Sequence, residues 1–152
     1  MIRLSRLADY AVVLMTYMNA APSPVHNAVD VAAATGLPAP TVAKVLKRLA
    51  QAGLLQSHRG AQGGYRLARA APGISVADIV SAIDGPIALT HCSKPGKGVC
   101  DVELACPSRS GVNRINTAIR TALEAVSLAE ISAPDAAAVA TRAPAFREGV
   151  SA

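Results

Sequence analysis

Apolar residues recur at steps of three and four along the start of the chain: Leu4, Leu7, Ala11, Leu14, Met15 and Met18. That period is one face of a helix. It predicts a first helix over residues 3–20, with Ser5 as a candidate cap and Pro22 and Pro24 beyond its end. A short helix follows over 30–35, closed by Gly36 in the C-cap position. After the turn LPAP, Pro40 or Thr41 opens a third helix, TVAKVLKRLAQAGLL, which ends near Gly53. Its apolar face is Val42, Val45, Leu46 and Leu49, and its other face shows Thr41, Lys44, Lys47, Arg48 and Gln51. Two helices joined by a Gly/Pro turn, the second carrying basic residues outward, form the pattern of a helix-turn-helix.

The period then changes. In LLQSHRGAQGGYRLAR, two short extended segments, Leu54–His58 and Tyr65–Arg69, flank a Gly-rich tip, which predicts a β-hairpin or wing. Gly60, Gly63 and Gly64 permit a tight backbone and close approach to another surface. Arg59, at the base of the tip, is placed to enter a minor groove, where negative potential is concentrated. An ordinary surface hairpin with an incidental Arg would read the same way in isolation; its place directly after a basic helix favours DNA.

Further along, SVADIVSAIDG (75–85) predicts a short helix capped by Ser75. Val112, Ile115, Ile119, Ala122 and Val126 then recur at three- and four-residue steps. Such a stripe suits a helical dimer seam or packing onto the chain's own domain; two half-sites on DNA favour the dimer. From Ala133 to Ala152 the chain turns Ala/Pro-rich, and a mobile tail with no assigned role is expected. The fold class is therefore mainly α: a winged helix-turn-helix over 1–72, a short helix, a cysteine loop and a dimerisation helix over 73–132, and a tail over 133–152.

Charge sharpens this picture. Residues 1–70 carry eight Lys/Arg against two Asp, whereas 71–152 carry seven against eight Asp/Glu, so the net +5 resides in the first half. A basic N-terminal half points to a polyanionic partner, although a merely soluble basic surface would carry the same charge. Aromatics make up only 3% of the chain, which argues against a base-stacking single-strand platform. There is no nucleotide-binding loop, no HExxH and no Ser/His/Asp grouping, and His26, His58 and His91 are scattered; no enzyme is expected. The N-terminus superficially resembles a secretory signal, but Asp9 follows the basic residues and the clean apolar run is only Ala11–Met15. No stretch approaches the length of a membrane span, and an odd number of thiols suits a reducing cytosol, so a cytoplasmic location is expected.

All three cysteines lie in one loop, HCSKPGKGVCDVELACPS, spaced Cys92-x7-Cys100-x5-Cys106. This is neither the C-x2-C knuckle of structural zinc sites nor the C-x2-C-x2-C run of bacterial ferredoxins. Gly and Pro let the loop wrap three thiolates around one centre, and Lys94 and Lys97 favour thiolate over thiol. Thiolates are soft ligands that suit an iron–sulfur cluster, zinc or cuprous copper. Structural cysteines, by contrast, sit singly inside apolar segments.

Taken together, RLSRLADYAVVLM, TGLPAPTVAKVLKRLAQAGLL, HRGAQGGYRLAR, ISVADIVSAIDGPIALTHC and CPSRSGVNRINTAIRTALEAVSLAEI resemble the bacterial winged-helix regulators typified by IscR and NsrR, and most closely the branch that regulates the Suf iron–sulfur assembly system. The resemblance spans roughly residues 2–132. It implies a homodimer with crossing C-terminal helices, one 2Fe-2S or 4Fe-4S cluster per subunit on Cys92, Cys100 and Cys106, and double-stranded operator DNA, near-palindromic, as partner. In IscR-like members a His follows the third cysteine by three residues; here Arg109 stands there and cannot ligate iron while protonated. NsrR-like members supply an Asp from the other subunit, and Asp9 occupies the matching place. His91, Glu103 and water are alternatives for the fourth position. The same resemblance sends Thr41, Ala43 and Lys44 to the major groove, where Ala43 offers only an apolar contact to a thymine methyl. Lys47 and Arg48 are expected at phosphates and Arg59 in the minor groove. Nitric oxide, thiol oxidation or zinc would use the same thiols as a different signal, and a cluster carrier without a DNA role is the remaining alternative.

Overall fold

The computed structural model describes residues 3–21, 23, 25–60, 63–90, 93 and 105–133. Helix α1 (Arg6–Ala20) is the centre of the architecture, and Ser5 caps it by accepting the Ala8 N–H through its side chain. Its inward stripe is Ala8, Ala11, Leu14, Met15 and Met18. Leu4, expected on this face, lies before the helix and is 40% exposed. Two alanines in the stripe let neighbouring backbones approach closely, which suits a core with so few aromatics.

Helix α2 (Ala28–Thr35) is capped by Asn27, whose side chain accepts the Asp30 N–H, and ends at Gly36 with φ +69. Three residues later α3 (Ala39–Gln51) begins, with Pro38 as its N-cap. Its buried residues are Val42, Val45, Leu46 and Leu49, the face expected from the sequence. Strands β1 (Leu55–His58) and β2 (Gly64–Leu67) pair antiparallel in the register Leu55↔Leu67, Gln56↔Arg66, Ser57↔Tyr65 and His58↔Gly64. Thus Gly64 belongs to the second strand and Arg69 does not.

The segment after the wing is fixed by one junction. Ser75 and Asp78 form a reciprocal capping box at the start of α4 (Val76–Asp84). Arg69 donates to Asp78 at 2.9 Å and to the Gly73 carbonyl at 2.7 Å, tying the end of the wing to α4. Partial burial pushes the Asp78 carboxyl up, but the Ser75 hydrogen bonds and the Arg69 charge outweigh it and hold the pKa below its ordinary 3.8. A carboxylate with a depressed folded pKa contributes stability above its unfolded pKa, and loses it as pH falls through the folded value. Asp78→Asn is therefore expected to lower stability near pH 7 by about 1 kcal/mol, the scale of a lost cap. The gap from wild type should close as acid titrates the group. A pH series of urea melts checks this, and a gap that persists in acid would contradict it.

Helix α5 (Arg109–Glu124) leads to a short α6 (Leu128–Ser132). The chain turns back between them: Val76 N–H donates to the Val126 carbonyl at 2.9 Å and Leu128 N–H to Ile74 at 2.7 Å. α6 thereby packs on α1, and Leu128 is fully buried in the same cluster as Ala8, Leu14, Leu46, Ile74 and Ile79. One core runs across residue 72. α5 also stops short of the expected apolar stripe, since Val126 lies beyond its end.

Candidate nucleic-acid interface and thiol loop

The outward face of α3 is built by subtraction. Burying Val42, Val45, Leu46 and Leu49 leaves Lys44, Lys47 and Gln51 opposite the core, with Ala43 exposed on one flank and Thr41 half-buried on the other. Arg48 is placed elsewhere. It is half-buried, and its Nη1 donates to the Ile83 carbonyl at 3.1 Å, in the last turn of α4. Carbonyls there lack an intrahelical partner and carry the negative end of the helix dipole, so a guanidinium is well matched to them. Arg48 is thus a strut between α3 and α4, with one of its guanidinium nitrogens engaged there.

The wing is held by more than its own ladder. His26, just before α2, pairs with Tyr65 in both directions: His26 N–H to the Tyr65 carbonyl at 2.9 Å, and Tyr65 N–H to the His26 carbonyl at 2.8 Å. The His26 ring packs edge-on against Tyr17 of α1, 5.9 Å between centroids. This crossing explains Gly64, since a Cβ there would lie 2.5 Å from the His26 carbonyl oxygen. Gly60 has φ +123, a conformation L side chains rarely adopt, and its carbonyl accepts the Gly63 N–H at 2.9 Å. Arg59 stands exposed between His58 and that turn. On the solvent face, Arg66 Nε and Nη2 both donate to Gln56 Oε1, at 3.0 and 2.8 Å. Sequence reading missed Arg66 as a cation of the wing, although the cross-strand register with Gln56 contained the signal. Lys44, Lys47, Arg59 and Arg66 are thus presented to solvent by one helix and one hairpin on a shared core.

Such a helix-turn-helix with its wing invites comparison with known proteins. The chain matches the Rrf2 family, described as "Iron-dependent Transcriptional regulator", over residues 4–134. The chain belongs to the Rrf2 family. It is 35% identical over 134 residues to a Mycobacterium tuberculosis (strain H37Rv) protein named as an HTH-type transcriptional regulator, Rv1287, covering 86% of this chain and 81% of that one. Among solved structures, it resembles CymR (YrzC), the global cysteine regulator of B. subtilis, with a TM-score of 0.66 and 25% identity over 87% of this chain and 97% of the other. T. potens IscR superposes with a TM-score of 0.64 and 25% identity over 97% and 94%. As an Rrf2 member the protein is a DNA-binding transcriptional regulator with a winged-helix head. Among its described residues no helix is long and apolar enough to cross a membrane.

The stretch that carries the three cysteines joins α4 to α5. Cys106 is half-buried two residues before the α5 N-cap Ser108, and its carbonyl accepts the Arg109 N–H at 3.4 Å. Cys92, Cys100, His91, Lys94, Lys97 and Glu103 lie outside the described residues, as does the tail from 134. Asp9 is exposed on the first turn of α1, beside a depression lined by Arg3, Leu4, Ser5 and Arg6. Among the described residues no three His, Cys, Asp or Glu side chains gather closely enough to hold a metal ion.

Proposed function

We propose that this regulator reads an iron–sulfur cluster on Cys92, Cys100 and Cys106 and uses it to repress iron–sulfur assembly genes of the Suf type. The observation that carries this reading is that every thiol of the chain falls in the one stretch of sequence between α4 and α5, after a basic N-terminal half. The donor set fits: three soft thiolates suit iron, and Arg109, on the turn after Cys106, does not compete for it. When bound, the cluster supplies an iron- and oxidation-sensitive state. The chain's own residues supply the rest. Asp9 of a second subunit is the proposed fourth ligand, which would link α1 of one head to the loop of the other. A homodimer of this kind is supported by Ile115, 54% exposed on α5, and by an apolar groove of about 420 Å3 between α4 and α5, lined by Leu4, Val80, Ile87, Ile119 and Leu123.

On DNA, α3 would enter the major groove with Thr41, Ala43 and Lys44 at base edges, Lys47 would meet phosphate, and Arg59 would enter the minor groove. Arg59→Ala is expected to weaken operator binding by roughly tenfold, the scale of one base-pair mismatch, with little change on random DNA. Lys47→Ala should weaken both alike and reduce the salt slope by about 1. Titrations of labelled operator and random duplex at several salt concentrations separate the two, and equal effects of Arg59→Ala on both duplexes would remove its minor-groove role.

The deciding experiment is anaerobic purification with iron and acid-labile sulfide quantified beside the visible spectrum. Brown protein with matched iron and sulfide supports the proposal. Zinc, or a thiol-only protein after reconstitution, overturns the cluster and leaves a thiol or zinc sensor on the same DNA-binding head.

A further inference from the structure

Asn116 is buried, 9% exposed, on the inward stripe of α5 with Val112, Ile119 and Leu123. An apolar residue is the default at such a position, and a buried amide is costly unless its hydrogen bonds are made. Here they are directed at the backbone that enters the thiol loop. Asn116 Oδ1 accepts the Leu89 N–H at 3.0 Å, and Nδ2 points at the Ile87 carbonyl at 3.5 Å. The amide stands in for a neighbouring strand, satisfying a peptide segment that has none. One turn earlier, Asn113 Oδ1 accepts from the Ser93 hydroxyl at 3.2 Å. Ser93 in turn closes on Thr90, its N–H donating to the Thr90 carbonyl at 3.1 Å and the two hydroxyls lying 3.0 Å apart.

These bonds fix residues 87 to 90 and 93 against two successive turns of α5. Cys92 is covalently bound to Ser93 and follows Thr90 by two residues. Cys106 enters the same helix at its N-terminus. The backbone at the loop's entry, Thr90, and Cys106 at its exit are therefore both held to α5, although sixteen positions separate them in sequence.

We propose that Asn116, assisted by Asn113, is a positioning residue for metal binding: it anchors the backbone that enters the loop, residues 87 to 90, to the helix that follows Cys106, so that the two ends of the loop are held to one element. The inference rests on the cluster reading above. A buried amide serves this purpose where leucine would not, because it grips backbone directly and so acts whatever the loop's side chains are.

The test compares Asn116→Ala, Asn113→Ala and Thr117→Ala, the last on the exposed face of α5 as a control. Two quantities are read: hydrogen exchange of the Leu89 amide in metal-free protein, and the rate at which reconstituted protein loses iron to an anaerobic chelator. Asn116→Ala is expected to raise Leu89 exchange about tenfold and to hasten iron loss at least fivefold. Asn113→Ala should hasten iron loss by less, and Thr117→Ala should change neither. If Asn116→Ala fails to fold, Asn113→Ala carries the test. Wild-type iron retention in folded Asn116→Ala or, failing that, in Asn113→Ala overturns the positioning role alone, as does unchanged Leu89 exchange in Asn116→Ala. A wild-type chain that takes up no iron and sulfide refutes the cluster reading and the positioning role with it, while normal Leu89 protection would show that the backbone grip is present.

Discussion

Replacing Leu128 by alanine will remove about 2–5 kcal/mol of folding stability, the range measured for large-to-small changes at fully buried sites. Leu128 is 0% exposed and belongs to the cluster that contains Leu14, Leu46 and Ile74. Its surroundings have little freedom to collapse around a smaller side chain. Its own N–H is bonded to Ile74, Ser127 pairs with Ser75, and the Ser127–Glu130 capping box fixes the start of α6. Val126, two residues earlier and 37% exposed, should lose under about 0.5 kcal/mol on the same change. Urea unfolding of both variants measures the difference. Equal, small losses would mean that α6 does not belong to the core.

The second large effect concerns the thiols. Cys106→Ser should abolish stable iron and sulfide binding. Serine is close in size, but its hydroxyl is a hard donor that stays protonated at neutral pH, where a thiol readily yields a soft thiolate. Because Cys106 is only half-buried and lies before the first turn of α5, the fold should survive, with a melting midpoint near wild type. Iron and sulfide assays after anaerobic reconstitution, beside a thermal melt, provide the check. Full occupancy in Cys106→Ser would sink the three-thiol site, whereas lost occupancy in a folded protein supports it.

Local patterns were the legible part of the sequence. The apolar stripes of α1 and α3, the caps at Ser5, Gly36 and Ser75, and the wing each follow from residues within one or two turns of each other. What escaped was set by distant partners. Nothing near Arg48 signals that the end of α4 lies beside its guanidinium. Gly64 is in the strand because the backbone of His26, far earlier in the chain, crosses it. On α5, Val112 and Ile119 are half-buried but Ile115 and Ala122 are exposed, so the expected stripe divides between two faces. Asn116 conceals the true inward face, since a polar residue there breaks the apolar count that periodicity depends on. For the site, the Rrf2 match bears out the DNA-binding head, whereas Cys92 and Cys100 lie outside the described residues.

The return of α6 to α1 also has a consequence for biosynthesis. A ribosome emits the head first, yet Leu128 must arrive before the core around Leu14 is closed. The nascent DNA-binding segment therefore waits, incompletely packed, through the synthesis of the thiol loop and α5. A truncated product ending before residue 128 would lack that closure, so prematurely terminated chains should be cleared by proteolysis rather than persist as unregulated competitors for the operator.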